Sequence, residues 1–183
     1  MIYLIDEKKL RQENYSWTVD KFREYQDYIT PIYTKKELDL VKNNIFSNPD
    51  NILLFHDSFF DDPNNRHDKD SDQIRQDLIN RSREITTVFF SGGVYNRTIH
   101  SSNYASLPVE LVYKNLEFFI EQLRKGVLQI ELLAFGRNYK YERISQLRKE
   151  IWEILYKKKD SEILTLKENN ALNKTLADLA SLI

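Results

Sequence analysis

The sequence predicts an α/β domain: a doubly wound sheet of five parallel strands, helices on both faces and an extra C-terminal helix. Three observations carry this expectation. Short runs rich in β-branched and aromatic residues alternate with longer segments of helical period. The runs are apolar at nearly every position, the pattern of strands covered on both sides. The 183 residues, 41% hydrophobic and 13% aromatic, are enough for one full core.

Taken in order, "MIYLI" (1–5) is the first strand, and the segment after it places Val19, Phe22, Tyr25 and Ile29 on one helical face. "PIYT" (31–34) is a second short run. In "TKKELDLVKNNIF", Thr34 and Glu37 form a capping-box pattern, and Leu38, Val41 and Ile45 recur at helical spacing. "NILLF" (51–55) is the third strand and runs into His56, Asp57, Asp61 and Asp62. An Asp/Asn-rich loop over 61–72 leads to a helix marked by Ile74, Leu78 and Ile79, and "ITTVFF" (85–90) is the fourth strand. A loop follows. The helix "SLPVELVYKNLEFFIEQLRKG" then has Pro108 in its first turn and Gly126 as its stop.

"IELLAFG" (130–136) is the expected fifth strand, and Ile144, Leu147, Ile151, Ile154 and Leu155 stripe the helix after it. Residues 1–158 form the expected α/β domain. Beyond the basic break "KKKD", residues 159–183 hold Leu172, Leu176, Leu179 and Ile183 at helical spacing. That final amphipathic helix packs on the domain or serves association, including a homodimer.

The net charge of -1 and pI near 6.3 disfavour a nucleic-acid binder, which ordinarily carries a basic footprint. With no cysteine there is no disulfide framework and no thiolate site, which fits a reducing compartment; cytoplasm is the expectation. The first residues are apolar for five positions and then charged, neither a secretory leader nor a membrane span.

In a parallel sheet the working site lies beyond the carboxyl ends of the strands. Asp6 and Glu7 follow the first strand, His56 and Asp57 the third, Ser91, Gly92 and Gly93 the fourth, and Gly136 and Arg137 the fifth. This set resembles the receiver domains of two-component signalling, where acids after strands one and three hold Mg²⁺, a Ser or Thr ends strand four and a Lys ends strand five. The resemblance implies that Asp57 accepts a phosphoryl group. It makes Asp6, Glu7 and Asp57 ligands of Mg²⁺, gives Ser91 a hydrogen bond to the phosphoryl group, and puts Arg137 where the family has lysine. Partners would be a kinase or a downstream effector protein.

Each residue also has a plainer reading. Asp57 is otherwise a loop carboxylate satisfied by backbone donors, and Ser91-Gly92-Gly93 either forms a tight turn or brings backbone N–H groups, those of Gly92 and Gly93, to an anion. His56 is more ordinarily a strand-end histidine. Two other functions stay open. A receiver-like fold without phosphotransfer is a docking module, with Tyr113 and Phe118 or Phe119 available for its surface. "IYLID" also looks like the opening of PIN-type nucleases, with Asp6 as a metal ligand and Glu37 as a second acid. "DKDSD" (68–72) lacks the glycine and the final glutamate of a Ca²⁺ loop, and no phosphate-binding glycine loop occurs.

Overall fold

The computed structural model describes residues 1–59, 69–81, 84–156 and 163–181. The chain divides into two compact units, Met1–Gly136 and Arg137–Ile183. The boundary expected at 158/159 lies outside the described residues.

The first unit holds a mixed α/β fold around a mostly parallel sheet of six strands, not five. These are β1 (Ile2–Ile5), β2 (Ile29–Ile32), β3 (Ile52–His56), β4 (Thr86–Ser91), β5 (Thr98–Ser101) and β6 (Tyr104–Pro108). Their order is β2-β1-β3-β4-β6-β5, with only the β5/β6 pair antiparallel. Every residue of β3 is buried, as its unbroken apolar run requires. On one sheet face Ile5, Leu53 and Phe55 join Leu38 and Ile45 of α3 (Lys35–Ile45) and Leu78 of α4 (Lys69–Asn80) in one apolar cluster. Alternation sends Ile2, Leu4, Leu54 and Phe90 to the other face, where the Tyr113 ring of α5 (Val109–Leu123) meets Phe90 edge-on at 5.8 Å.

The segment "IELLAFG" is not the fifth strand. Glu131–Phe135 form a short helix, α6, with Leu132, Leu133, Ala134 and Phe135 buried. Periodicity does not separate a short buried helix from a short buried strand, and Glu, Leu and Ala favour the helix. The fifth parallel strand is β6, inside the segment expected to be loop and helix start, and β5 hairpins onto it. Ile29, expected on a helical face, opens β2, because α2 (Val19–Glu24) has already ended.

Several local signals hold. Thr34 and Glu37 make the full capping box at the start of α3. Beyond α5, Gly126 takes φ +77°, with its N–H on Leu123 O (2.9 Å) and that of Val127 on Gln122 O (3.0 Å), a Schellman closure. Pro108, expected in the first turn, stands one residue before α5, at the last position of β6, and makes no side-chain cap hydrogen bond.

In the second unit α7 (Tyr139–Tyr156) and α8 (Leu166–Ala180) pack together, burying Leu147 and Thr175, with Arg143 Nη2 3.8 Å from Asp178 Oδ2. α8 is the expected final helix, opened by a capping box of Thr165 and Glu168. Leu172 and Leu179 are half-buried and Leu176 is exposed.

Candidate functional site

Two strand ends set the geometry. The β1/β3 register pairs Ile5 with Phe55, so Asp6 stands level with His56; the β3/β4 register pairs His56 with Phe90, so Asp57 stands level with Ser91. Each acid extends the ladder by one amide, Asp6 N donating to Ile32 O (3.2 Å) and Asp57 N to Phe90 O (3.1 Å).

Asp6 has no exposed surface. A buried carboxylate persists only with donors and counter-charge around it, and Asp6 has both. Tyr113 donates its hydroxyl to Oδ2 at 2.6 Å, and the Lys8 amide donates to Oδ1 at 3.1 Å. The counter-charge comes from α1 (Lys9–Asn14), which begins just past the strand and turns Arg11 back over its end. Arg11 Nη2 lies 2.9 Å from Asp6 Oδ1 and 3.7 Å from Glu7 Oε1. Gln12, also buried, donates to the Asp6 carbonyl at 2.8 Å. Burial, then the charge of Asp6, pushes the Tyr113 phenol well above its ordinary range, so it stays a donor.

Arg11 also donates through Nη1 to His56 Nε2. On the other side of the ring Nδ1 meets Asp57 Oδ1 at 3.0 Å, Ser58 Oγ at 3.0 Å and the Ser58 amide at 3.1 Å. That nitrogen is thus offered both an acceptor and a donor. Arg11 Nη1 also lies 3.3 Å from Nδ1, so two donors, the guanidinium and the Ser58 amide, and one acceptor, Asp57, share the two ring nitrogens. Burial and then the Arg11 charge pull the His56 pKa down to about 4, against the opposing pull of Asp6 and Asp57. The ring is neutral at pH 7.

Asp57 is different in kind. Its side chain is 40% exposed, and Ser91 donates its hydroxyl to Oδ2 at 2.6 Å. The Ser91 oxygen in turn accepts from the Gly93 amide at 3.0 Å, so "SGG" forms a turn closed on its own serine. Gly92 and Gly93 are exposed in that turn.

The structure thus gathers Asp6, Glu7, His56, Asp57 and Ser91 at one end of the sheet. Arg137 does not follow a strand: it lies in the 3₁₀ turn Gly136–Asn138 directly after α6. Glu37, the proposed second acid of a nuclease, spends its carboxylate on the amides of Tyr33 (2.7 Å) and Thr34 (3.0 Å). Tyr113 and Phe119, considered for a partner surface, are buried. Asp61 and Asp62 lie outside the described residues.

The residues as they stand do not fit Mg²⁺, which demands several oxygen ligands at short, near-octahedral distances. Asp6 has turned its oxygens to a tyrosine, an amide and an arginine, and no group of three acidic or histidine side chains that could hold a metal occurs among the described residues. Sequence reasoning missed Arg11 and Gln12, and set Tyr113 on a partner surface rather than against Asp6. The available signal for the first two was their spacing, five and six residues after Asp6 on the first helix beyond the strand.

No helix among the described residues is long and apolar enough to cross a membrane. Compared with known proteins, the chain matches no family model, no curated protein sequence and no solved structure.

Proposed function

We propose that this chain is a receiver-like protein-interaction module whose acidic pocket is filled by its own cation, Arg11, and which works by docking rather than by phosphoryl transfer. The observation that carries this reading is the Arg11 guanidinium, 2.9 Å from a fully buried Asp6 and hydrogen-bonded to His56. An arginine is charged at every accessible pH and is fixed to the chain, so it neutralises Asp6 without a dissociable ion. The parallel strands run in the order β2-β1-β3-β4-β6, which is the flavodoxin-like order and supports a doubly wound, receiver-like arrangement. The last of them ends in Leu107 and Pro108, so a fully buried leucine stands near where the resemblance asks for lysine.

A second reading, phosphoryl acceptance on Asp57, is favoured by one contact. The half-exposed carboxylate takes the Ser91 hydroxyl at 2.6 Å, the Asp and Ser juxtaposition that the resemblance implies.

NMR amide shifts on adding Mg²⁺ with beryllofluoride separate the two. The docking reading expects no saturable shift around Asp6, Asp57 and Ser91 in the wild type. Saturable shifts there that vanish in Asp57→Asn would overturn it in favour of the phosphoacceptor.

A further inference from the structure

The second unit presents a helix face that the sheet-end pocket does not involve. On α7, Arg143 and Leu147 lie on the side turned to α8: Leu147 is buried, and Arg143 reaches Asp178. At 3.6 residues per turn, Ser145, Trp152 and Tyr156 run down the middle of the opposite side. Tyr141 and Arg148 lie along one flank of that stripe, and Glu142, Lys149 and Glu153 along the other. Tyr141, Trp152 and Tyr156 are 77%, 58% and 71% exposed, and the last two rings stack at 4.3 Å and 14°. Tryptophan and tyrosine are the residues that carry most binding energy where proteins meet. Tyr141, Ile144, Ser145, Arg148 and Lys149 line a shallow pocket of about 320 Å³ on this face. The charges of the face cancel, Arg148 and Lys149 against Glu142 and Glu153, with Lys149 3.9 Å from Glu153. A partner of one sign is therefore not selected. Neither is a single-stranded nucleic acid, which needs a track of cations, nor a membrane surface, which needs a cationic polar flank.

What the face does fit is its own image turned end for end. In a two-fold contact residue i meets residue j and j meets i, so opposite charges must stand on one flank at mirrored heights. Glu142 and Lys149 do so: they share a flank, seven residues and about 10 Å apart along the axis. A two-fold axis midway between them, beside Ser145, sets each against the other in the second copy. Ser145 is the small residue of the stripe, and a short side chain at the crossing lets the helix axes approach. Trp152 stands two residues further from that axis than Tyr141 does. Because side chains lean toward the N-terminus of their own helix, Trp152 reaches back to the copy's Tyr141 and the pocket beside it. We propose that the chain forms a homodimer through α7, antiparallel about Ser145, with Glu142 on Lys149 and Trp152 in the pocket at Tyr141 on both sides of the axis. The overlap is one helix on its image over about three and a half turns, at the small end of interface sizes, below about 1,200 Å². The dimer is accordingly weak and reversible. The inference stands on the second unit alone, and neither reading of Asp57 enters it.

Sedimentation velocity of the full chain over about a hundredfold range of concentration, at low ionic strength, tests this. The expected result is a concentration-dependent shift from monomer to dimer, weakened about tenfold or more by Trp152→Ala. Glu142→Lys and Lys149→Glu each abolish it, since either change sets like charges against one another on both sides of the axis. Mixed in equal amounts, those two variants associate again, because one then carries only cations at the paired positions and the other only carboxylates. Lys167→Glu on α8, a charge change away from the stripe, leaves the dimer intact. Circular dichroism verifies that each variant folds. A monomer at every concentration, a dimer indifferent to Trp152→Ala and to the charge changes, or a mixture of the two charge variants that stays monomeric would each overturn the proposal.

Discussion

Asp6 and Asp57 end neighbouring strands of one sheet, one residue out of level, yet they are chemically different groups. Asp6 is sealed, with a phenol, an amide and a guanidinium on its two oxygens. Asp57 is 40% exposed and held by one serine hydroxyl and the edge of an imidazole. What separates them is the set of groups packed on each. After Asp6, a short helix begins within three residues and folds Arg11 and Gln12 back over the strand end. Asp57 has no ion pair with a lysine or arginine among the described residues. An acid at a strand end is therefore a position, and the donors and counter-charge packed on it decide whether it becomes structure or surface.

The widest separation should appear in stability. Asp6→Ala leaves Arg11 and the Tyr113 hydroxyl without their buried partner, and a loss of about 3–5 kcal/mol in urea unfolding is expected. Arg11→Met leaves the Asp6 charge uncompensated and should cost about 3 kcal/mol. In that variant NMR titration should also show the His56 pKa rising, because the Arg11 charge is one of the two main causes holding it down. A pKa that stays near 4 would mean that burial alone sets it.

The pH dependence comes next. His56 has a folded pKa of about 4 against an ordinary value of 6.5, so between these values the unfolded chain binds the proton and the native chain does not. Its contribution is whole above pH 6.5 and is lost as pH falls toward 4, about 2–3 kcal/mol after allowance for screening. Urea midpoints at pH 7 and pH 4.5 measure it, and His56→Gln should flatten the difference. The smallest effect belongs to Asp57→Asn, expected to cost under about 1 kcal/mol, since its hydrogen bond is half in water and an amide oxygen still accepts from Ser91. A cost equal to that of Asp6→Ala would erase the distinction between the two acids.

Much of the sheet was legible in the residues. "MIYLI", "NILLF" and "ITTVFF" are apolar at nearly every position because they lie at the centre of a parallel sheet, and all three are strands. The far edge was not legible. "TIHS" is largely exposed and "YASLP" alternates between buried and half-buried, so neither rises above the loop background. "IELLAF" was misread for the opposite reason, since full burial removes the period that would have identified a helix. The site followed the same logic. Strand ends pointed to Asp6, His56, Asp57 and Ser91, whereas Arg11 and Tyr113 reach Asp6 from helices whose packing no local pattern declares. Tyr113 is 107 residues away along the chain.

The central claim is that Arg11 and Asp6 are one unit, and a double-mutant cycle measures it most directly. Unfolding free energies of Asp6→Asn, Arg11→Met and the double variant give the coupling between the two side chains. A coupling of about 2 kcal/mol or more is expected, with the double variant losing clearly less than the sum of the single losses. Additive losses would contradict the claim: Arg11 would then be a bystander, and Asp6 an acid free to serve a metal.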